Sequence, residues 1–151
     1  MSSLLIAYDG SENAKLAITR AAELMPGASA AVVHVWEPLA NVASVPPVPG
    51  LEGLLKQGLD EMDSIGDEVS RKVAEEGAEL ARSAGLDCEG IPVRAEGRAW
   101  RTLLDLARER NVDAIVAGRR GVSRVEAVIL GSVSGALVQH ADRPVLLVPG
   151  G

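Results

Sequence analysis

The sequence predicts an α/β domain built on a parallel sheet, and three observations support this fold class. Five short apolar runs alternate with four longer stretches whose apolar residues recur at helical spacing. Aromatic residues are few, with no Phe, one Tyr and two Trp, so aliphatic side chains must fill the core, as in strands buried on both faces. The 151 residues suit one domain that buries about two-thirds of its unfolded surface. We therefore expect a single domain over residues 1–151, with an open five-stranded sheet, right-handed crossovers and helices on both faces.

The first part of the chain supplies two strands and one helix. Leu4–Tyr8 predicts a strand, and Ser11 follows it as the N-cap of a helix over about residues 12–24. Ala30–Val35 predicts the second strand. Residues 37–53 then shift to a proline-rich composition, which predicts a surface loop because proline continues neither a helix nor an internal strand.

A long amphipathic helix is predicted next, from about Leu51 to Ala84. Its internal glycines each weaken it by about 1 kcal/mol relative to Ala, which predicts frayed or bent first turns. Gly85 ends this helix, Cys88–Arg94 predicts the third strand, and Arg98–Arg110 predicts another long helix. The apolar residues on one face of the helix predicted over about Leu51 to Ala84 are Leu55, Leu59, Met62, Val69, Val73, Leu80 and Ala84.

A glycine-rich stretch, Gly118-x2-Gly121-x9-Gly131-Ser132, follows the buried strand predicted over Val112–Ala117 and leads into a helix that reaches His140. The first turn of a helix has N–H groups without partners and about half a positive charge, so Ser132 and Ser134 lie where an anion binds. Glycines at 118, 121 and 131 are expected to permit positive φ and a close approach of a ligand. The stretch predicts a phosphate cradle. On glycine spacing alone, an ordinary strand-to-helix loop with Ser132 as its N-cap remains the alternative.

Together these pieces resemble the universal stress protein family, in its ATP-binding subgroup, over essentially the whole chain. The matching pieces are Tyr8-Asp9-Gly10-Ser11 after the first strand, His34-Val35 at the end of the second, the glycine stretch, and the terminal strand in Arg143–Pro149. The resemblance implies a doubly wound, adenine-nucleotide-binding fold with strand order 3-2-1-4-5. In such a sheet, ligands bind where the strand order reverses, which here is between Asp9 and Gly118.

The resemblance also implies a role for each matching residue. Residues at the end of the first strand would border adenine and ribose, one residue of the second strand would offer backbone groups to the base, and the glycine stretch would hold ribose and phosphates. The implied binding residues are Ala7, Tyr8, Asp9, Val35, Gly118, Gly121, Gly131, Ser132, Val133 and Ser134. The implied ligand is ATP, with Mg²⁺ or Mn²⁺ as an open addition.

Two arginines depart from the family pattern between the first two glycines, where many members carry a small residue or a histidine. Arg120 is a candidate phosphate ligand, because a guanidinium binds phosphate bidentately, and Arg119 is interpreted as a solvated loop charge. Asp9 has an alternative role at the start of the first helix. It could also support a divalent ion through the phosphates, although a single carboxylate supplies few of the oxygen ligands that such an ion requires.

Charge and hydropathy exclude several function classes. The net charge of −6 argues against non-specific binding to nucleic acid or to anionic lipid, since both require a basic face. No apolar run approaches 18 residues, and residues 1–8 form a strand rather than a signal segment, so we expect no membrane association and a cytoplasmic location.

Candidate reactive groups are isolated in the sequence. Cys88 is interpreted as a buried small hydrophobe, His34 as a packed or backbone-bonded side chain, and His140 as a residue of a helix C-terminus. The chain has no Gly-x4-Gly-Lys-Ser/Thr loop. We therefore expect no enzyme, with at most slow ATP hydrolysis and no metal centre.

Two functions follow as expectations. The favoured one is a nucleotide-binding regulatory module in stress responses that acts on an unknown protein partner, and the alternative is a stress protein that acts through protein contacts without tight nucleotide binding. The last strand, Val145–Val148, has no charge at its edge, so it is expected to pair with a second copy and form a homodimer, as in the family.

Overall fold

Five strands and four helices alternate along the residues described by the structure, a computed structural model that covers residues 2–39, 48–119 and 131–150. The predicted strands and helices in these ranges are confirmed to within one or two residues at each end. In chain order they are β1 Ser3–Ala7, α1 Glu12–Leu24, β2 Ser29–Trp36, α2 Glu52–Ser83, β3 Asp87–Arg94, α3 Ala99–Glu109, β4 Ala114–Gly118, α4 Ser132–His140 and β5 Val145–Val148.

The five strands form one parallel sheet in the order β3-β2-β1-β4-β5, as the resemblance implied. Leu5 in the central strand pairs with Ala31 of β2 on one side and with Ile115 of β4 on the other. The chain winds from β1 toward one edge through β2 and β3, and β4 and β5 lie on the other side of β1. The carboxyl ends of β1 and β4 therefore meet at the point where the winding direction reverses, which is where such sheets bind ligands.

The core has two layers because successive strand residues point to opposite faces of the sheet. Leu4 and Ile6 of β1 pack with α1 and α2, whereas Leu5 packs with α3 and α4. Tyr8 is the one aromatic residue among the buried hydrophobic side chains of the described residues, so the expected aliphatic core is confirmed.

Helix α2 runs over Glu52–Ser83 as one segment that includes its internal glycines. The glycines at 66 and 77 are sites of close packing. A methyl group on Gly77 would lie 2.7 Å from both Tyr8 Cδ1 and Val32 Cγ1, and one on Gly66 would lie 3.0 Å from Trp36 Cε3. The helix thus lies closely against β2 and the Tyr8 ring because these two positions lack a side chain.

The helix packs on the sheet through a different face from the one that carries most of the predicted apolar residues. Leu55, Met62, Val69 and Leu80 are exposed, while the face that packs on the sheet is made mostly of small residues. The buried residues of that face are Ser70, Ala74, Gly77, Ala78 and Ala81.

Candidate functional site

The loop between β4 and α4 is closed at its two ends by hydrogen bonds. Arg119 N donates to Val148 O at 2.8 Å, and Gly131 N donates to Arg119 O at 3.0 Å. These two bonds place the start of α4 directly beside the carboxyl end of β4. Arg120 and Gly121, predicted as ligands of the phosphates, lie outside the described residues.

The first turn of α4 presents backbone donors at the sheet edge. The first helical bond of α4 runs from Gly135 N to Gly131 O, so the amides of Ser132, Val133 and Ser134 precede it and have no carbonyl partner within the helix. The N-cap Gly131 has φ −55° and ψ 158°. The expected positive φ at Gly131 is therefore wrong, and Gly118 is extended as the last residue of β4, because an N-cap and a strand end both use extended backbone.

Ser134 links this helix to the strand beside it. Its hydroxyl donates to Gly118 O at 2.7 Å, and the residue is only 4% exposed. The single hydroxyl proton is therefore used inside the protein, and a ligand at this helix end would meet the Ser134 amide rather than a free hydroxyl donor. Ser132, by contrast, is exposed.

The end of β1 contributes backbone and one carboxylate. Tyr8 N donates to Val33 O at 2.9 Å, but its ring lies beneath α2, where its hydroxyl donates to Glu76 Oε1 at 2.6 Å. Burial, followed by the bond to Glu76, raises the pKa of Tyr8 well above its usual range. The Tyr8 side chain therefore faces α2, and only its backbone lies at the edge of the sheet.

Asp9 lies at the start of the first helix and is exposed to solvent. Its Oδ1 accepts a hydrogen bond from Ser11 N at 3.0 Å, and Ser11 Oγ accepts one from Ala14 N at 3.2 Å, so the predicted Ser11 N-cap is confirmed. Gly10 between them has φ +79°, which only glycine adopts readily. The helix-start role considered for Asp9 is therefore present in the structure.

His34 is bonded inside the protein at the end of β2. Its Nδ1 lies 2.7 Å from Ser70 Oγ, and the same hydroxyl donates to His34 O at 3.3 Å. The donor and acceptor roles of Nδ1 and the Ser70 hydroxyl depend on the tautomer of the imidazole. Burial lowers the pKa of His34, against an opposing effect of the Asp9 carboxylate. The expected packed histidine is confirmed, with a side-chain partner as well as a backbone one.

The remaining sequence candidates have structural partners. The Cys88 thiol is partly buried against the core, and this burial raises its pKa to about 11, as expected of a packed thiol. His140 stacks on Trp100 with ring centroids 4.6 Å apart. The described ranges contain no group of three or more His, Cys, Asp or Glu placed to hold a metal ion. Within the same ranges, no helix is both long and apolar enough to cross a membrane.

Sequence reasoning missed two residues that shape this edge. Ser70 orients His34 from α2, and Glu76 fixes the Tyr8 ring. The one sign of Ser70 in the sequence is that a polar residue stands among the small residues of the face that packs on the sheet. Glu76 is an exposed charged residue and has no such sign in the sequence.

Similarity to known proteins agrees with this arrangement. The model of the universal stress protein family matches residues 1–149 of the chain. The chain belongs to this family. A universal stress protein of Thermus aquaticus, encoded in the QAH/OAS sulfhydrylase 3′ region, is 33% identical over 152 aligned residues, which cover 97% of each chain.

Several solved structures share the fold. The structure of the hypothetical protein MJ0577 superposes with a TM-score of 0.81 at 19% identity and covers 99% of this chain and 96% of the other. A universal stress protein in complex with cAMP has a TM-score of 0.65 at 22% identity, with coverage of 98% and 96%. The universal stress protein of Archaeoglobus fulgidus in complex with dAMP has a TM-score of 0.62 at 20% identity, with coverage of 98% and 97%.

Proposed function

We propose that this universal stress protein binds an adenine nucleotide, ATP in the first instance, at the carboxyl ends of β1 and β4 and acts as a regulatory module. The observation that carries the proposal is the first turn of α4. The amides of Ser132, Val133 and Ser134 open beside Gly118, at the point where the strand order reverses. A helix N-terminus in this position binds phosphate through its amides and its dipole, without a lysine. The family relatives that hold cAMP and dAMP support the ligand class.

Different residues would bind different parts of the nucleotide. The amides of Ser132, Val133 and Ser134 would hold the phosphates, with Arg120 and Gly121 of the glycine stretch as further proposed contacts. Gly118 would lie against the ribose. The closing bonds at Arg119 and Gly131 hold the α4 amides in one orientation before a ligand arrives, so that little ordering opposes binding.

The base and ribose would be held at the other side of the crevice. Ala7 and the backbone of Tyr8 lie at the end of β1, and Asp9 offers an exposed carboxylate to ribose hydroxyls. Val35, near the end of β2, would offer backbone groups to adenine. A divalent ion, Mg²⁺ or Mn²⁺, would be carried on the phosphates, because Asp9 is a single carboxylate.

We further propose that the protein acts through its nucleotide state rather than through turnover, with at most slow hydrolysis, and that it works in the cytoplasm. The hydroxyls of Tyr8 and Ser134 are already bonded within the protein, so neither is free to move a proton to or from a nucleotide. β5 forms one edge of the sheet and has no charged residue, which supports a homodimer through this strand.

Calorimetric titration tests the proposal. The purified protein is titrated with ATP, ADP, AMP and cAMP, with and without Mg²⁺, and a denatured sample is analysed for nucleotide that co-purified. Saturable binding is expected, and it should be lost in Gly131→Val because the branched side chain crowds the path of the phosphates. Gly53→Val is the matched control, since a methyl group there would meet nothing within 4 Å.

The outcomes separate two functions. If Gly131→Val binds nucleotide as tightly as the wild type, the first turn of α4 is not the phosphate site, even if the protein binds nucleotide elsewhere. Absence of any binding by protein that is folded, judged by its helical circular dichroism, would leave the stress protein that acts through protein contacts alone. Sedimentation tests the dimer separately, and a monomer at micromolar concentration would contradict it.

A further inference from the structure

Helix α2 carries a second apolar face that the core does not use. Four of its side chains, Leu55, Met62, Ile65 and Val69, follow one another at spacings of seven, three and four residues. Their residues are 37%, 57%, 62% and 52% exposed. Together with Leu51 and Gly58 they complete a regular alternation of four and three residues, which is the pattern of a helix that packs against another helix along a seam. We call these four side chains the outer stripe.

The outer stripe is separate from the face that holds α2 on the sheet. Gly66, Ser70 and Gly77 point toward Trp36, His34 and Tyr8. At about 100° per residue, the centre of the outer stripe lies about a quarter turn around the helix from these positions. The stripe is therefore a flank of a helix already fixed on its inner face, and presenting it to a partner requires no rearrangement of the core.

The surroundings of the stripe are acidic. Residues 52–69 contain six carboxylates and one lysine, Lys56. Three of the six have basic partners: Asp63 pairs with Arg94 at 3.3 Å, Asp67 with Arg71 at 3.0 Å, and Glu68 with Lys72 at 3.7 Å. The three basic partners and Lys56 offset four of the six negative charges, so the region keeps a net charge of −2. Glu61 and Glu68 directly precede Met62 and Val69 on the side of the stripe that faces away from the sheet.

This charge pattern selects among the possible partners. A second copy of the chain would place the same acidic flank opposite itself, and an anionic membrane would be repelled in the same way. A helix with an apolar seam and Lys or Arg beside it matches both the stripe and its flank. We propose that the outer stripe of α2 docks an amphipathic helix of another protein whose apolar seam is flanked by basic residues.

Two synthetic peptides of about three heptads test the proposal, since shorter helices are marginal in water. Both have Leu along the seam, and they carry either Lys or Glu beside it. Binding of each labelled peptide to the full-length protein is measured by fluorescence anisotropy at physiological salt. The Lys peptide is expected to bind at least about tenfold more tightly than the Glu peptide.

Matched variants of the protein separate the contribution of charge to peptide binding from the contribution of the apolar contact. Ile65→Asp should weaken binding of the Lys peptide by about tenfold or more, even though it adds a negative charge. Leu24→Asp, at a residue of α1 that is 63% exposed and lies away from the stripe, adds the same charge and should leave binding unchanged. Glu61→Lys together with Glu68→Lys should narrow or reverse the preference between the two peptides.

Several results would overturn the proposal. Equal binding to wild type and Ile65→Asp would show that the Lys peptide responds only to net charge, and no binding of either peptide would show that the stripe is closed. A photo-crosslinking residue at position 62 in living cells adds a direct readout of the partner. Crosslinks to a basic heptad helix of another protein support the proposal, whereas crosslinks to a second copy or to another part of the same chain reject it.

Discussion

Substitution of Gly77 by Ala separates helix propensity from packing within one helix. A methyl group at this position would lie 2.7 Å from Tyr8 Cδ1, 2.9 Å from Tyr8 Cγ and 2.7 Å from Val32 Cγ1. Neither neighbour has room to move away. Val32 is fully buried in β2, between β1 and β3, and the Tyr8 ring is fixed by its hydroxyl bond to Glu76 at 2.6 Å.

The two effects have opposite signs. Replacement of a helical glycine by alanine favours the helix by about 1 kcal/mol. Forcing an extra methyl group into a packed core typically costs about 1–3 kcal/mol, and contacts of 2.7 Å on two immobile side chains place this site at the upper end. The net expectation is a loss of about 1–2 kcal/mol in the free energy of unfolding, which lowers Tm by roughly 2–8 °C for a chain of this size.

Gly58→Ala is the matched control, because the same substitution in the same helix would meet nothing within 4 Å. It should stabilise the protein by about 0.5–1 kcal/mol. Urea unfolding followed by circular dichroism gives both values. If Gly77→Ala is as stable as Gly58→Ala, α2 does not lie as close to Tyr8 and β2 as the structure places it, and the account of the inner face is wrong.

Three further predictions concern the edge of the sheet and its supports. Burial lowers the pKa of His34, so the unfolded chain takes up the proton first and stability should fall as the pH drops from about 6.5 toward 5; His34→Gln should show a shallower fall in urea midpoints over that range. Ser134→Ala removes the bond to Gly118 O and should cost about 1 kcal/mol of stability and weaken calorimetric nucleotide affinity, whereas Ser132→Ala should leave stability unchanged. Arg143→Gln removes donors to two backbone carbonyls, those of Ala107 and Val112 at 2.8 and 2.7 Å, and should lower the free energy of unfolding by about 2 kcal/mol; an unchanged thermal midpoint would contradict this role.

The strands were predictable because a buried parallel strand requires an apolar run that almost nothing else in a small domain requires. Leu4–Tyr8, Ala30–Val35 and Val112–Ala117 all lie on observed strands for that reason. The strand order was not derivable from such runs and came from the resemblance to the family. The register that brings β1 beside β4 is a property of the assembled sheet.

Helix α2 shows what periodicity does not determine. A period of 3.6 residues places Leu55, Met62 and Val69 on one face, but it does not say whether that face meets the sheet. The observed packed face is built around Gly66 and Gly77, because only residues without side chains allow this helix to lie against Trp36 and Tyr8. Small residues carry little hydropathy, so the face that packs most closely was the one with the weakest signal.

The candidate site was predictable in location and only partly in chemistry. The glycine stretch marked the loop between β4 and α4, but the hydroxyl of Ser134 is used to hold Gly118 O rather than left free for a ligand. Likewise the Tyr8 side chain turns to α2, although its position in the sequence is that of a residue at the edge. In both cases a hydrogen-bond partner that the sequence does not reveal, Gly118 O or Glu76, determines which atoms remain free to contact a ligand.

The proposed nucleotide site and the outer stripe lie near each other at the β1–α1 turn. A methyl group on Gly10 would lie 3.9 Å from Val73 Cγ1, and Val73 is one helical turn beyond Val69, the last residue of the stripe. Asp9, which would face the nucleotide, immediately precedes Gly10. The two proposals nonetheless rest on different atoms, the amides of α4 for the nucleotide and the side chains of α2 for the partner helix. Gly131→Val should therefore abolish nucleotide binding and spare the Lys peptide, and Ile65→Asp should do the reverse, so that either proposal can fail while the other stands.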